Sequence, residues 1–263
     1  MTNPLVYVST PIPEDGVLKI SPSAFAKFIQ SPHTWYRSEI LKEDGFTHNT
    51  STVIGTCVHY CAEMVAKQEM VDPKIIEEYV NSLEEHEDYD RAVVLHQYVL
   101  MAECLVNDYV LERSFLEVET QHVGKLPHHY YAAGTLDALE GTKDDCMIVD
   151  YKTYHSKTTP KAIPAHYKYQ LLVYAFILRQ KGYNPTRIRL AYVNRHIEGE
   201  ISDKTGKQLK SYPPAVTVLT ETLVPEDFDF IQGLLELCVD TCEVSKKHPE
   251  LNHVVWHDPR LKG

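Results

Sequence analysis

Near residue 114 the hydrophobic period of this chain changes, and the change limits the folds open to it. Before that point, apolar residues recur at helical spacing. After it come FLEVETQHV (115–123), YYAAGTLDALE (130–140) and CMIVDYKTY (146–154), which read as consecutive strands. The stretch 141–145 (GTKDD) supplies turn chemistry between the last two, so they are expected to pair. Beyond Pro160 and Pro164, an amphipathic helix is predicted over about 165–181, ending at Gly182. RIRLAYVNR (187–195) is a further strand, AVTVLTETL (215–223) a candidate one, and Pro225 opens a last helix.

Upstream, Ser21-Pro22 opens a helix that breaks at Ser31-Pro32, and the polar stretch 42–52 reads as a loop. Further helices are predicted over about 54–68, 73–89 and 91–113. There is no internal repeat and no linker rich in Gly, Ser or Pro. One α/β domain over 1–263 is therefore expected. It has a helical part at about 20–113, a core at about 114–200, and a closing strand and helix at about 213–247. The fold class is a central mixed β-sheet flanked by helices, with an N-terminal helical layer.

The bulk numbers exclude several classes. A 43% hydrophobic and 24% charged chain is ordinary for a globular protein, neither disordered nor fibrous. No apolar run reaches the roughly 18 to 20 residues of a membrane span. The start, MTNPLVYVSTPIPEDG, lacks secretory or transit-peptide character, so a cytoplasmic protein is expected. The six cysteines, at 57, 61, 104, 146, 238 and 242, form no disulfide or zinc pattern and are expected to be reduced thiols. A net charge of -11 argues against a basic nucleic-acid coat protein. Yet residues 151–197 hold no Asp or Glu, while carrying Lys152, Lys157, Lys161, Lys168, Arg179, Lys181, Arg187, Arg189 and Arg195. Such a stretch suits phosphate, although a solvated face would read the same way.

The chemistry concentrates in four places. On a strand, Asp150 and Lys152 project to one face. If their strand pairs with the one before, Asp137 comes close enough to share a hard cation, Mg²⁺ or Mn²⁺, with Asp150. A lysine beside such a cation can orient or help deprotonate water and stabilise charge on a phosphate. His59 and Glu63 are four apart on a helix face, offering a nitrogen ligand and a supporting carboxylate. Gln170 and Tyr174, again four apart, can hydrogen-bond a phosphate or a catalytic carboxylate. Taken singly, each piece has an ordinary structural reading: D-x-K occurs by chance, and polar pairs decorate many helices.

In this order, however, GTxxHxxxE (55–63), GTxD (134–137), DYKT (150–153) and QLxxYA (170–175) strongly resemble the RecB-type branch of the PD-(D/E)XK nucleases. That branch includes phage recombination exonucleases and the mitochondrial genome-maintenance exonuclease. The segment ISPSAFAKFIQSPHTWY resembles the helix that opens many such domains, so the likeness spans roughly 20–180. It implies a restriction-endonuclease-like core. It also implies metal binding by His59, Asp137, Asp150 and the Tyr151 carbonyl, with Lys152 as catalytic lysine. Glu63, Gln170 and Tyr174 would support the site or contact the DNA backbone, and Glu119 would have an outer role.

The implied activity is Mg²⁺- or Mn²⁺-dependent exonucleolytic hydrolysis at linear DNA ends, in recombination, replication or repair in a bacterial or phage-infected cell. Lys157, Lys161, Lys168 and Arg179 would guide the strand, with His155, His166, Tyr154, Tyr167 and Tyr169 adding stacking. A single-strand annealing or single-strand-binding protein is a candidate partner by the same analogy. An endonuclease of the same fold and a silent DNA-binding module are the alternatives; the complete Asp137, Asp150, Lys152 and His59 set argues against the silent module. Some relatives hold a 4Fe–4S cluster through one early and three late cysteines. Here Ser31 stands at the early place and only Cys238 and Cys242 at the late one, so no cluster is expected. No GxxxxGK[ST] loop is present, so a stand-alone nuclease is expected.

Overall fold

The computed structural model describes residues 4–5, 9–13, 18–43, 47–155, 160–199, 201 and 206–256. Its first helix, α1 (Pro22–Gln30), starts where Ser21 accepts the Ala24 N–H, and it buries Phe25 and Phe28. The helix breaks at Ser31-Pro32, as expected, with Ser31 in extended conformation. Ser31 caps a second short helix, α2 (Pro32–Trp35), because proline suits a first helical turn, and a π-turn, Tyr36–Ile40, follows. Helix α3 (Thr50–Ala66) begins earlier than the sequence pattern indicated. The polar residues before it are its cap: Asn49 and Thr52 exchange side-chain and backbone hydrogen bonds. Helix α4 (Pro73–Ser82) is shorter than expected, and α5 (Arg91–Asp108) follows under an Asp90 cap.

The sheet contains β1 (Lys19–Ile20), β2 (Phe115–Lys125), β3 (Tyr131–Thr142), β4 (Asp145–Tyr154), β5 (Pro185–Asn194) and β6 (Val216–Thr222). Strand β1 is too short for a hydrophobic pattern to reveal. Along one edge of β3, β2 runs antiparallel, with pairs from Phe115↔Glu140 to Lys125↔Tyr131. The other edge is divided. Strand β4 pairs antiparallel only from Thr142↔Asp145 to Ala138↔Val149, and β1 pairs parallel at Tyr131 and Ala132. Helix α6 (Ala165–Gln180) crosses from β4 to the parallel β5, and β6 returns antiparallel beside it.

Both sheet faces are covered. On one, α1, α6 and the long α7 (Pro225–Lys247) pack Phe25, Leu171, Leu178, Ile231 and Leu235 against Cys146, Ile148, Ile188 and Leu190. On the other, α3, α4 and α5 pack Ile54, Val58, Ile76 and Met101 against Met147, Val149, Ala191 and Val193. The alternation along β4 thus feeds two cores. The last short helix, α8 (Asn252–Val255), leads to Trp256, whose ring stacks on Tyr36 at 4.6 Å and meets Phe28 and Trp35. All six cysteines are free, five of them buried. Among the described residues, no helix is long and apolar enough to cross a membrane.

Candidate active site

The site forms where β4 peels away from β3. Asp137 and Asp150 occupy the positions just beyond the last β3–β4 pair, Ala138↔Val149. There the ladder's next hydrogen bond is replaced: the Tyr151 N–H donates to Asp137 Oδ2 at 2.8 Å. The glycines of the two GT motifs allow the surrounding elements to close in. A Cβ on Gly134 would lie 2.8 Å from both the Pro22 ring and the Tyr174 hydroxyl, so α1 and α6 approach β3 only because that atom is missing. A Cβ on Gly55 would meet Thr153 Oγ1 at 3.3 Å, so α3 lies close on β4.

From α3, His59 reaches into the gap, its Nδ1 3.5 Å from Asp137 Oδ2. Its ring also reaches the Tyr151 backbone and lies edge-on to the Tyr151 ring. Burial, with Lys152 adding, pushes the imidazole down to about 4, so the ring is neutral at pH 7 and free to act as a ligand. Glu119 completes a cluster. Its position lies between the pairs Val118↔Ala138 and Thr120↔Leu136, opposite Asp137, and its backbone is left-handed at φ 47°. Ligand atoms of His59, Glu119 and Asp137 all lie within 4.8 Å of one another.

Asp150 and Lys152 stand beside this triplet. Lys152 Nζ is 2.8 Å from Asp150 Oδ1 and 2.7 Å from Oδ2, and Gln170 Nε2 donates to Oδ1 at 3.2 Å. The geometry is that of a hydrogen bond only at Oδ1, which leaves buried Oδ2 without one. Burial would lower the Lys152 ammonium, but Asp150 and Asp137 outweigh it and hold the group above its ordinary value. Lys152 is therefore a cation, with the Tyr167 ring 5.2 Å away. Tyr174 spends its hydroxyl on the Thr135 carbonyl, two residues before Asp137. Glu63, one turn beyond His59, pairs with Lys67.

The carboxylates repel one another in a poorly solvated cleft. Burial raises Asp150 to about 6, and burial with Asp137 and Glu63 raises Glu119 to about 9. Asp137 is raised too, chiefly by burial. One neutral imidazole, several crowded carboxylates and an orphaned buried oxygen form a donor set that fits a divalent cation.

The sequence-derived residues thus fall together, with two shifts of emphasis. Glu119, read as peripheral, lies in the tightest ligand cluster, whereas Asp150 is engaged by Lys152 and Gln170. Nothing in the alternation of β2 distinguishes Glu119 from Glu117; only its register opposite Asp137 does. Of the basic stretch, Lys168 pairs with Glu221 and Asp227, Arg187 with Asp145 and Arg189 with Glu140. Arg179 lies 3.3 Å from the centroid of the Phe228 ring. Lys157 lies outside the described residues. A separate cavity of about 690 Å³, bounded by Lys19, Tyr36, Glu39, Lys246 and Trp256, contains no residue of the four motifs between 55 and 175.

Comparison with known proteins bears on this arrangement. The family model of the PD-(D/E)XK nuclease superfamily matches residues 19–246. No curated protein matches the chain significantly. Among solved structures, the fold is similar to that of a candidate exonuclease from Eubacterium rectale. The TM-score is 0.56 at 13% identity, covering 87% of this chain and 81% of that one. An alkaline exonuclease from Laribacter hongkongensis aligns with a TM-score of 0.35 at 9% identity, covering 76% and 95%.

Proposed function

The chain belongs to the PD-(D/E)XK nuclease superfamily, and from that premise we propose that it is a divalent-metal-dependent DNA exonuclease acting at linear ends. The observation that carries this reading is the cluster at the β3–β4 split, with Lys152 and Asp150 at its side. The exonuclease part also draws on the name given to the structural neighbour from Eubacterium rectale. We further take 1–263 as one nuclease domain, working in DNA recombination, replication or repair in the cytoplasm of a bacterial or phage-infected cell.

In this reading, His59, Glu119, Asp137 and Asp150, with the Tyr151 carbonyl, hold Mg²⁺ or Mn²⁺. The cation supplies Lewis acidity toward the scissile phosphate and lowers the pKa of water. Asp137 also fixes the split strand through the Tyr151 N–H. Lys152, held protonated by Asp150 and Asp137, orients the attacking water and stabilises negative charge that builds on the phosphate oxygens. Gln170 holds Asp150 in place, and Tyr174 ties α6 to β3 behind the site. Glu63 adds negative charge behind Glu119.

The test uses purified protein with Mg²⁺ or Mn²⁺ on linear and closed circular DNA, with EDTA as control. Loss of linear substrate with survival of circles supports an exonuclease. Cut circles convert the reading to an endonuclease, and binding without cutting makes the chain a silent DNA-binding module.

A further inference from the structure

One arginine of the basic stretch differs from its neighbours. Arg187, Arg189 and Lys168 are neutralised by carboxylates, and Arg179 lies over Phe228. Arg195 is half-buried, and among the described residues no carboxylate lies within ion-pair distance of it. Its guanidinium is held instead by a neutral group, Nη2 donating to Ser51 Oγ at 2.8 Å. Burial holds this guanidinium below its ordinary value.

The backbone around Arg195 is pinned from three directions. Its N–H donates to the Tyr154 carbonyl at 3.0 Å, and its carbonyl accepts from Asn194 Nδ2 at 2.9 Å. The next residue, His196, is gripped by Gln97 of α5, which donates to the His196 carbonyl and accepts its N–H. A flexible surface cation would need none of this. Fixing a partly desolvated arginine next to a hydroxyl leaves its planar donors directed at an anion that none of the described residues supplies.

Its distance from the metal-binding cluster follows from two elements. Ser51 precedes His59 by eight residues on α3, about 12 Å at the helical rise. Arg195 follows Asn194, the register partner of Tyr154, which lies four residues beyond Asp150 on β4, about 13 Å along the strand. On a DNA strand that separation spans a short run of backbone phosphates. Resting on the nuclease reading above, we propose that Arg195, held by Ser51, binds a backbone phosphate of the DNA strand at that distance from the scissile bond. The contact sets strand position and affinity, and takes no part in the chemistry.

The test compares wild type, Arg195→Ala and Arg195→Lys by fluorescence anisotropy with a labelled 20-nucleotide DNA in Ca²⁺ across a salt series. Turnover of thymidine 5′-(4-nitrophenyl phosphate), too short to reach Arg195, is measured in Mn²⁺. Arg195→Ala should bind DNA roughly five- to tenfold more weakly, and its slope against log salt should shrink by about 0.7 to 0.9, the loss of one phosphate contact. Arg195→Lys should retain most of the slope, and the small diester should be turned over at wild-type rate. Unchanged affinity and slope in Arg195→Ala overturn the proposal, as does an equal loss on the small diester, which would mean a structural role through α3. Wild-type protein that binds no DNA at low salt would instead remove the nuclease premise, and the proposal with it.

Discussion

Asp137 accepts the backbone N–H of Tyr151 at 2.8 Å, one residue beyond the point where β3 and β4 cease to pair. A side chain thus replaces a strand partner, and the same carboxylate faces His59. The gap in the sheet and the proposed ligand set are one feature, so under the proposed function the packing that holds the gap open should determine activity.

Gly134 is the sharpest test of that packing. Gly134→Ala puts a methyl 2.8 Å from the Pro22 ring and the Tyr174 hydroxyl, so α1 and the Tyr174 side chain must give way. Overpacking of this kind costs about 1–3 kcal/mol, and urea unfolding should show a loss in that range together with reduced cleavage. Gly55→Ala is milder. Its nearest neighbour is the Thr153 hydroxyl at 3.3 Å, and helix propensity returns up to about 1 kcal/mol, so its unfolding midpoint should stay near wild type. Equal losses in the two variants would contradict this account of the motif glycines.

The pH dependence of cation stabilisation follows from the raised carboxyls. Glu119, raised to about 9, is protonated in the folded metal-free protein at pH values where the unfolded chain is ionised. Its contribution is present below the unfolded value and lost as pH rises toward 9. His59, lowered to about 4, works the other way, but only between about 4 and its ordinary 6.5. From pH 6.5 to 8.5, therefore, the Tm of metal-free protein should fall. A bound cation replaces those protons, so the Tm gained with Mn²⁺ should be larger at pH 8.5 than at 6.5. Scanning calorimetry at both pH values checks this, and an equal or smaller gain at pH 8.5 would count against it.

Trp256 fastens the end of the described chain to its beginning. It is 2% exposed, stacks on Tyr36 and donates from Nε1 to Ser245 at 3.0 Å. Trp256→Ala should cost about 3–5 kcal/mol, the range for a fully buried aromatic. Because the cluster lies outside the proposed metal site, cleavage per folded molecule at low temperature should be close to wild type. A stable but inactive variant would show that this clasp reaches the site.

Much of this was legible in the sequence, for identifiable reasons. The strands of 115–154 and the helix near 165–181 show because their periods are regular, and Asp137, Asp150 and Lys152 fall on them at spacings the pleat converts directly into proximity. Strand β1 escaped because two residues carry no period, and the start of α3 escaped because a polar capping box resembles a loop. Glu119 was legible as a residue but not as a ligand candidate, since its place depends on a left-handed backbone and on register. The basic stretch 151–197 looked like a free positive surface, but its acidic partners Asp145, Glu140, Glu221 and Asp227 lie outside that segment.

Mn²⁺ calorimetry paired with cleavage of linear DNA, for wild type and Asp137→Asn, tests whether the cluster at the β3–β4 split is the catalytic centre. The variant keeps an oxygen to accept the Tyr151 N–H but loses the charge that faces His59 and Glu119. The variant should fold, its Mn²⁺ affinity should fall at least about tenfold, and its cleavage should fall at least about a hundredfold. A variant that binds Mn²⁺ and cuts DNA like wild type would contradict this assignment, and the catalytic centre would have to lie elsewhere.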